Sequence, residues 1–371
     1  MGLLLVTIMF CLLQERTLGF KILTVDTLGA RTMNQLESLG AEVVSVPADK
    51  RVCADLRAIM AEHRPSCVIV RSSKISKETV LSANEELGLI IRAGAGYDNI
   101  DLNACASRGI AVSNTPGCNA VAVAELTMGM MIALDRKLVT NSKQLGGQKQ
   151  VWQKEDLSKG QMGLFGSTLG LIGAGNIGTE VIKRAAAFGM PIALWGRTLC
   201  LDIGQRPVPI TTEQVRRLGL ESAAAMVPIT LYPSIAQVAA EADVLSVHCK
   251  QPSRSPPLID REVLAALRPG AIFINTARAD LVHAEALLEA LQDPARNLRA
   301  GLDVWWEEPR GTGPFEDVTG AMIAKLPNVL PCSHIGAATM QAQAAVSDKL
   351  IRNVEAFLKD SSVLNSVLDI C

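Results

Sequence analysis

The chain has almost no excess of either charge. Among its 371 residues, 36 Lys and Arg face 37 Asp and Glu, for a net charge of −1. That balance excludes the basic face with which proteins grip nucleic acid. Histidine is scarce, with His63, His248, His283 and His334 the complete set, so a His-rich metal site is not expected. The nine cysteines (Cys11, Cys53, Cys67, Cys105, Cys118, Cys200, Cys249, Cys332 and Cys371) are odd in number, scattered and without a C-x-x-C pair. They read as reduced thiols of an intracellular protein, not as a disulfide frame or a zinc site. Aromatics are few, at 4%, and the prevailing Ala, Val, Leu and Ile suit parallel strands covered by helices. The apolar stretch Gly2 to Leu13 is twelve residues long, too short to span a bilayer. It lacks the basic flank of a signal peptide. Residues 1–19 are therefore expected to be an extension of unknown role, with a non-native or disordered tail, a degenerate targeting segment and an added structural element all left open. A soluble, cytoplasmic protein without membrane contact is expected, an organellar or signal role for residues 1–19 also being left open.

What is present is a glycine pattern. Leu169-Gly-Leu-Ile-Gly173-Ala-Gly175-Asn176-Ile177-Gly178 runs from an apolar strand through a Gly-x-Gly-x-x-Gly turn into a helix expected over Thr179 to Phe188. Gly173 permits the tight turn, Gly175 lets a pyrophosphate approach the backbone, and Gly178 lets helix pack on strand. Free amides of the first helical turn, aided by the helix dipole, hold phosphate. A dinucleotide site follows, made by Gly173, Gly175, Asn176, Ile177 and Gly178. The next strand ends in Trp195-Gly196-Arg197-Thr198, where an acid would bond the adenosine ribose hydroxyls. No acid stands at Gly196, and Arg197 with Thr198 can pair with a ribose 2′-phosphate. NAD and NADP are both allowed, and NADP is favoured if Arg197 does not simply stack on adenine or point into water.

Strands and helices alternate from residue 21, the pattern of an α/β protein with parallel sheets. Strands are expected at Lys21–Val25, Glu42–Val46, Cys67–Arg71, Leu89–Ala93 and Ala111–Ser113. A second series is expected at Leu169–Ile172, Ile192–Trp195, Val244–His248, Ala271–Asn275, Arg299–Val304 and Val329–Pro331. Helices are expected at Thr32–Leu39 and Val52–His63. Apolar helices over Ala120–Leu134 and Ala338–Phe357 are expected to cross between two lobes, the first also offering a subunit interface, and the lobes to close by a hinge. Leu201–Pro233 reads as an insertion with its own helix around Glu213–Leu218. Two Rossmann-like lobes result: a discontinuous, flavodoxin-like substrate domain (20–117 and 337–371) and a doubly wound dinucleotide domain (118–336).

Three polar residues follow strands of the second series: Arg278, Glu308 and His334. Ligands of open α/β sheets bind at such carboxyl ends, so the three can meet beside a nicotinamide. An imidazole is suited to take a hydroxyl proton at neutral pH while a hydride leaves, and a carboxylate behind it fixes its tautomer. Arg278 can fork onto a substrate carboxylate and polarise a forming carbonyl.

With these motifs in view, the chain resembles the D-isomer-specific 2-hydroxyacid dehydrogenase family over roughly residues 20 to 370, nearest its phosphoglycerate dehydrogenases. The matching segments are Val70-Arg71-Ser72, Arg92-Ala-Gly94-Ala95-Gly96-Tyr97-Asp98-Asn99-Ile-Asp101, Asn114-Thr-Pro-Gly117-Cys-Asn119, the glycine turn, Asn275-Thr-Ala-Arg278-Ala-Asp280, Asp303 to Pro309, and His334-Ile-Gly-Ala-Ala-Thr339. The resemblance implies that Arg278, Glu308 and His334 are catalytic and that Asp303 lies near the nicotinamide carboxamide. It implies a small-molecule substrate and a homodimer or homotetramer. It also implies that Arg71 and Arg92, with the Ala95 and Gly96 amides, bind the anionic groups of 3-phosphoglycerate, which would be oxidised to 3-phosphohydroxypyruvate in serine synthesis.

The chain departs from the family pattern at several places. Ala279 replaces a usual glycine, Ser333 replaces a usual proline and is expected to loosen the turn before His334, and the Arg71–Lys74 loop is one residue short. Gly196-Arg197 in place of the acid is similar to the glyoxylate/hydroxypyruvate reductases, an alternative function. Dinucleotide-sensing corepressors of the same fold are a reading from another class.

Overall fold

The computed structural model describes residues 19–46, 56–147, 152, 160–201, 203–250, 255–308 and 317–368. The Gly2–Leu13 segment, the start of the expected helix Val52–His63, and Pro309 lie outside the described residues. The chain divides into two compact units, one formed by residues up to Asn119 and from Thr339 onward, the other by Ala120–Ala338.

In the first unit, strands β1 (Lys21–Thr24), β2 (Glu42–Ser45), β3 (Cys67–Val70), β4 (Leu89–Arg92) and β5 (Ala111–Asn114) form a wholly parallel sheet in the order β2-β1-β3-β4-β5. That is the flavodoxin-like order. Successive side chains of these short apolar strands enter opposite cores. Leu23, Val68, Val70 and Ile90 pack on one face, and Ile22, Cys67, Ile69, Leu89 and Ile91 on the other. The helix Met340–Asp360 covers the second face with Leu350, Ile351, Val354 and Leu358. Burial on both faces explains why these strands read as continuous apolar runs, without alternation.

In the second unit, β6 (Leu169–Ile172), β7 (Ile192–Trp195), β8 (Val208–Pro209), β9 (Ile229–Leu231), β10 (Val244–Val247), β11 (Ile272–Asn275), β12 (Arg299–Leu302) and β13 (Val329–Pro331) form one sheet. Its order is β13-β12-β11-β10-β6-β7-β9-β8, parallel except for the edge pairing of β8 with β9. This is the doubly wound dinucleotide order, with its reversal between β6 and β10. The helix Ala120–Asp135 is largely apolar because most of it is buried within this unit, where Ala124, Met130, Met131 and Leu134 join the core of Leu169, Leu171, Ile272 and Ile274; only a stripe through Val121, Glu125 and Gly129 is exposed.

The expected insertion holds two helices, Thr212–Leu218 and Glu221–Met226, and also the strands β8 and β9, which the sequence reading missed. Among the described residues no helix is long and apolar enough to cross a membrane.

Candidate active site

The helix after β6 spans Asn176–Ala187, three residues ahead of its expected start, and Gly175 caps it without a side-chain hydrogen bond. Gly173 turns at φ +102°, a left-handed conformation that side chains resist. A Cβ on Gly178 would lie 2.0 Å from the Gly173 carbonyl oxygen, so only glycine lets the helix approach the strand. A Cβ on Gly175 would meet nothing within 4 Å. Among the described residues, the amides of Gly175, Asn176 and Ile177 donate to no protein group. Open space above uncapped amides at a helix N-terminus fits a pyrophosphate.

At the end of β7 the chain turns through Gly196, whose carbonyl accepts from the Leu199 and Cys200 amides at 3.0 Å each. A Cβ on Gly196 would stand 3.0 Å from Leu199 Cδ1, so a side chain there would require the Leu199 side chain to give by a few tenths of an ångström. Gln214, from the insertion, donates to the Leu199 carbonyl at 3.4 Å. Arg197 and Thr198 are exposed, and Arg197 makes no ion pair among the described residues. Burial pushes the Cys249 thiol up to about 11, while the positive charge of Arg197 acts against that rise. The guanidinium is thus near the end of β10, where a Cβ on Gly173 would touch Cys249.

The three expected catalytic residues all lie at carboxyl ends of neighbouring strands. Glu308 Oε2 sits 2.7 Å from His334 Nδ1, and Glu308 Oε1 accepts the Trp305 amide at 3.1 Å. Burial pushes the Glu308 carboxyl up. The contacts with His334, the Trp305 amide and the nearby Arg278 charge outweigh it and hold the group below the usual glutamate range. The structure therefore brings Arg278, Glu308 and His334 into one electrostatic neighbourhood. Arg278 is half-buried and donates to the Ala277 carbonyl at 2.8 Å. Its loop is fixed by Asn275, which bonds the Arg278 carbonyl and the Ala277 amide at 2.8 and 3.0 Å. Ala279 is buried and opens a short helical turn.

His334 and Glu307 both adopt left-handed backbone, each at φ +55°. Such conformations cluster at sites where the surroundings over-determine them. Around His334 the clamp is Asp303, whose two oxygens accept the Ile335 and Gly336 amides at 2.8 Å each. Cys332 is held on the other side, its amide by Leu302 and its carbonyl by Trp305 Nε1 at 2.7 Å. The loosening expected from Ser333 is therefore countered by bonds to either side of it. Asp303 is buried, and burial raises its carboxyl above the usual range despite those two amides. Both its oxygens are engaged by the turn, a role the sequence reading did not assign.

In the first unit, Val70 pairs with Arg92 in the β3–β4 register, placing Arg71 and Arg92 at adjacent strand ends. Arg71 is exposed and makes no ion pair among the described residues. Neither the Ala95 nor the Gly96 amide donates to a described group. Asn114 Nδ2 donates to the Ala95 carbonyl at 2.7 Å, and Asn99 Nδ2 to the Ser73 carbonyl at 2.7 Å, so the two arginine loops are tied together. Asp26, just past β1, was missed by the sequence reading; an acid at a strand's carboxyl end was the available signal. Among the described residues no group of three His, Cys, Asp or Glu side chains could hold a metal ion.

Comparison with known proteins follows the same lines. Residues 128–336 match the model of the D-isomer specific 2-hydroxyacid dehydrogenase NAD-binding domain. A hydroxypyruvate reductase of Thermotoga maritima is 37% identical over 287 residues, 77% of this chain and 83% of that protein. A D-3-phosphoglycerate dehydrogenase of Methanocaldococcus jannaschii is 32% identical over 347 residues, 94% of this chain but only 59% of that longer protein. Among solved structures, an NADPH-dependent glyoxylate/hydroxypyruvate reductase of Sinorhizobium meliloti, bound to NADP and malonate, superposes with a TM-score of 0.74 at 26% identity, covering 94% of this chain and 96% of that one.

Proposed function

The chain belongs to the D-isomer specific 2-hydroxyacid dehydrogenase family of NAD(P)-dependent oxidoreductases, and from that premise we propose that it interconverts 3-phosphoglycerate and 3-phosphohydroxypyruvate, a step of serine synthesis. The observation carrying the phosphorylated substrate is the exposed, unpaired Arg71 guanidinium at a strand end next to Arg92. A three-carbon acid with two anionic groups needs more than one cation, and the Ala95 and Gly96 amides add donors for a carboxylate.

In the oxidising direction, His334 Nδ1–H donates to the ionised Glu308, which leaves Nε2 to take the C2 hydroxyl proton. Glu308 then stabilises the imidazolium. Arg278 forks onto the substrate carboxylate and polarises the forming carbonyl. The bound nicotinamide supplies or accepts the hydride. Gly173 to Gly178, with the amides of Asn176 and Ile177, hold the pyrophosphate, and the acceptor capacity left on Asp303 serves the carboxamide. Arg197 and Thr198 take the ribose 2′-phosphate, making NADP the preferred carrier.

The Gly196–Arg197 turn also favours a second reading, an NADPH-linked glyoxylate/hydroxypyruvate reductase, in line with the names of the Thermotoga relative and the Sinorhizobium structure. A panel of 2-hydroxy and 2-oxo acids assayed with both carriers separates the two. Reduced-nicotinamide absorbance rising with 3-phosphoglycerate is expected; turnover of hydroxypyruvate or glyoxylate alone replaces the first reading with the second. Arg197→Ala should weaken NADP selectively, and equal losses for both carriers would remove the preference.

Assembly as a cytoplasmic homodimer or homotetramer belongs to the same proposal. Leu138, Val139, Leu145 and Phe165 of the nucleotide unit are exposed apolar surface that a second copy would cover. Sedimentation of the full chain tests it.

A further inference from the structure

Asp26 follows β1 at the carboxyl edge of its sheet, and its carboxylate receives five hydrogen bonds from one short loop. Oδ2 accepts the amides of Arg71, Ser72 and Ser73 at 2.5, 3.0 and 3.2 Å. Oδ1 accepts the hydroxyls of Ser72 and Ser73 at 3.0 Å each. Three consecutive amides converging on one point make an anion-binding nest, and here the chain fills it with its own side chain. Burial alone would push the Asp26 carboxyl up, but the Arg71, Ser73 and Ser72 amides together hold it below the usual aspartate range. The carboxylate is consequently ionised, and two oxygens accepting five donors have little capacity left. No ion pair joins it to the Arg71 guanidinium among the described residues. The same loop is held from its other side, where Asn99 donates to the Ser73 carbonyl and the Ile75 amide donates to the Asn99 carbonyl at 2.8 Å.

We infer that Asp26 is a positioning residue for substrate binding: by occupying the nest of residues 71–73 it fixes the backbone from which Arg71 reaches the anionic group of the substrate. The inference rests on the dehydrogenase reading above, and on Arg71 as a substrate ligand within it. The nest is not itself the substrate site, since it is already full. Its function is to set where the adjacent cation begins, and it does so with a carboxylate that bonds main chain and leaves the cation unpaired. A simple staple of the fold would share the hydrogen bonds but would not couple them to one kinetic constant.

The test is steady-state kinetics of Asp26→Ala and Asp26→Asn, in the full chain, with the acid that the unmodified protein turns over best. Truncation to Ala empties the nest, and KM for the acid should rise about tenfold to a hundredfold while kcat at saturation and dinucleotide affinity hold. Added formate, a free carboxylate small enough to enter the nest, should recover much of the loss in Asp26→Ala and do nothing for the unmodified chain. Asp26→Asn can turn its carbonyl to the three amides and its NH2 to the serine hydroxyls, so a smaller rise in KM is expected, and this variant carries the test if the alanine variant does not fold. An unchanged acid KM in a folded, active variant overturns the inference. So does a joint fall of kcat, acid affinity and dinucleotide affinity that formate leaves untouched, which would mark a purely structural staple. Failure of the unmodified chain to turn over any 2-hydroxy or 2-oxo acid would instead remove the dehydrogenase reading, and this inference with it.

Discussion

Asp26 and Asp303 carry out one task in two units, and they do it under opposite electrostatics. Each stands just past a strand's carboxyl end, and each clasps main-chain amides of another loop that bears a site residue: Arg71 in the first case, His334 in the second. Burial acts to raise both carboxyls. At Asp26 the donors of residues 71–73 outweigh it, and the group lies below the usual range. At Asp303 burial prevails over the Ile335 and Gly336 amides and the His334 charge, with the Glu308 charge adding to the rise, and the group lies above it. The donors and neighbouring charges decide whether the clasp stabilises its own charge. The loop at Asp26 presents the exposed Arg71 cation proposed to meet the substrate's anion. The turn at Asp303 holds the His334 imidazole, the proposed proton-transfer group, in left-handed backbone.

The sharpest way to break the parallel is Asp303→Ala. Freeing the Ile335 and Gly336 amides should let His334 drift from Glu308, and kcat should fall by about 10²–10³ with a lesser change in acid KM, since positioned proton transfer is worth that order. A rise confined to KM would make the two clasps equivalent in role and end the distinction.

A separate pH dependence, carried by neither carboxylate, belongs to His248. It is buried, bonds Ser246 Oγ through Nε2 at 2.8 Å, and is depressed by burial from the ordinary 6.5 to about 3. Between those values the unfolded chain binds a proton that the folded chain refuses. Its contribution is therefore complete above pH 6.5 and is lost as pH falls toward 3, with a slope of up to about 1.4 kcal/mol per pH unit. Urea midpoints measured across that window should show the slope, and His248→Gln should flatten it.

A third effect concerns the strain that Asp303 sustains. Replacing His334 removes the imidazole whatever enters, but Asn tolerates left-handed backbone and Val does not. His334→Val should be about 1–2 kcal/mol less stable than His334→Asn by chemical denaturation. Equal stabilities would mean that the turn relaxes, and that Asp303 does not enforce its conformation.

The smallest effect separates the clasps by sign. A carboxyl lowered on folding stabilises above its unfolded value and loses that contribution as pH falls through the folded one. A carboxyl raised on folding does the reverse: its contribution is complete below the unfolded value and is lost as pH rises through the folded one. From pH 7 down through the carboxylate range, the stability gap between the unmodified chain and Asp26→Asn should therefore shrink. The unmodified chain should over the same range gain on Asp303→Asn. Parallel trends in the two variants would remove the contrast.

Much of this was legible in the sequence because it is local. Gly173 and Gly178 announce a turn and a close helix–strand contact within six positions, and the apolar runs ending in Arg71, Arg92, Arg278 and His334 mark strand ends. The strands β6, β7 and β13 fall on their expected residues, and several others end one or two residues early, although the next residue still donates to the neighbouring strand at Val25, Val46, Ala93 and His248. The order of Arg278, Glu308 and His334 behind the glycine turn indicated a shared site, and the contacts around Glu308 bring them together. What escaped is what depends on partners far along the chain. Nothing near Asp26 reveals that residues 71–73 will converge on it, and nothing near Asp303 reveals Ile335 and Gly336. Strand β9 escaped because Ile229–Leu231 is a brief apolar stretch inside a Pro-rich connection, with no period of its own.

The turn after β7 bears on how a lineage of such proteins could exchange one electron carrier for another. An acid introduced at Gly196 would press on the tip of the Leu199 side chain, which has to give by a few tenths of an ångström, while Gln214 bonds that residue's backbone. What position 196 accepts therefore depends on what stands at 199, and the two positions are expected to change together.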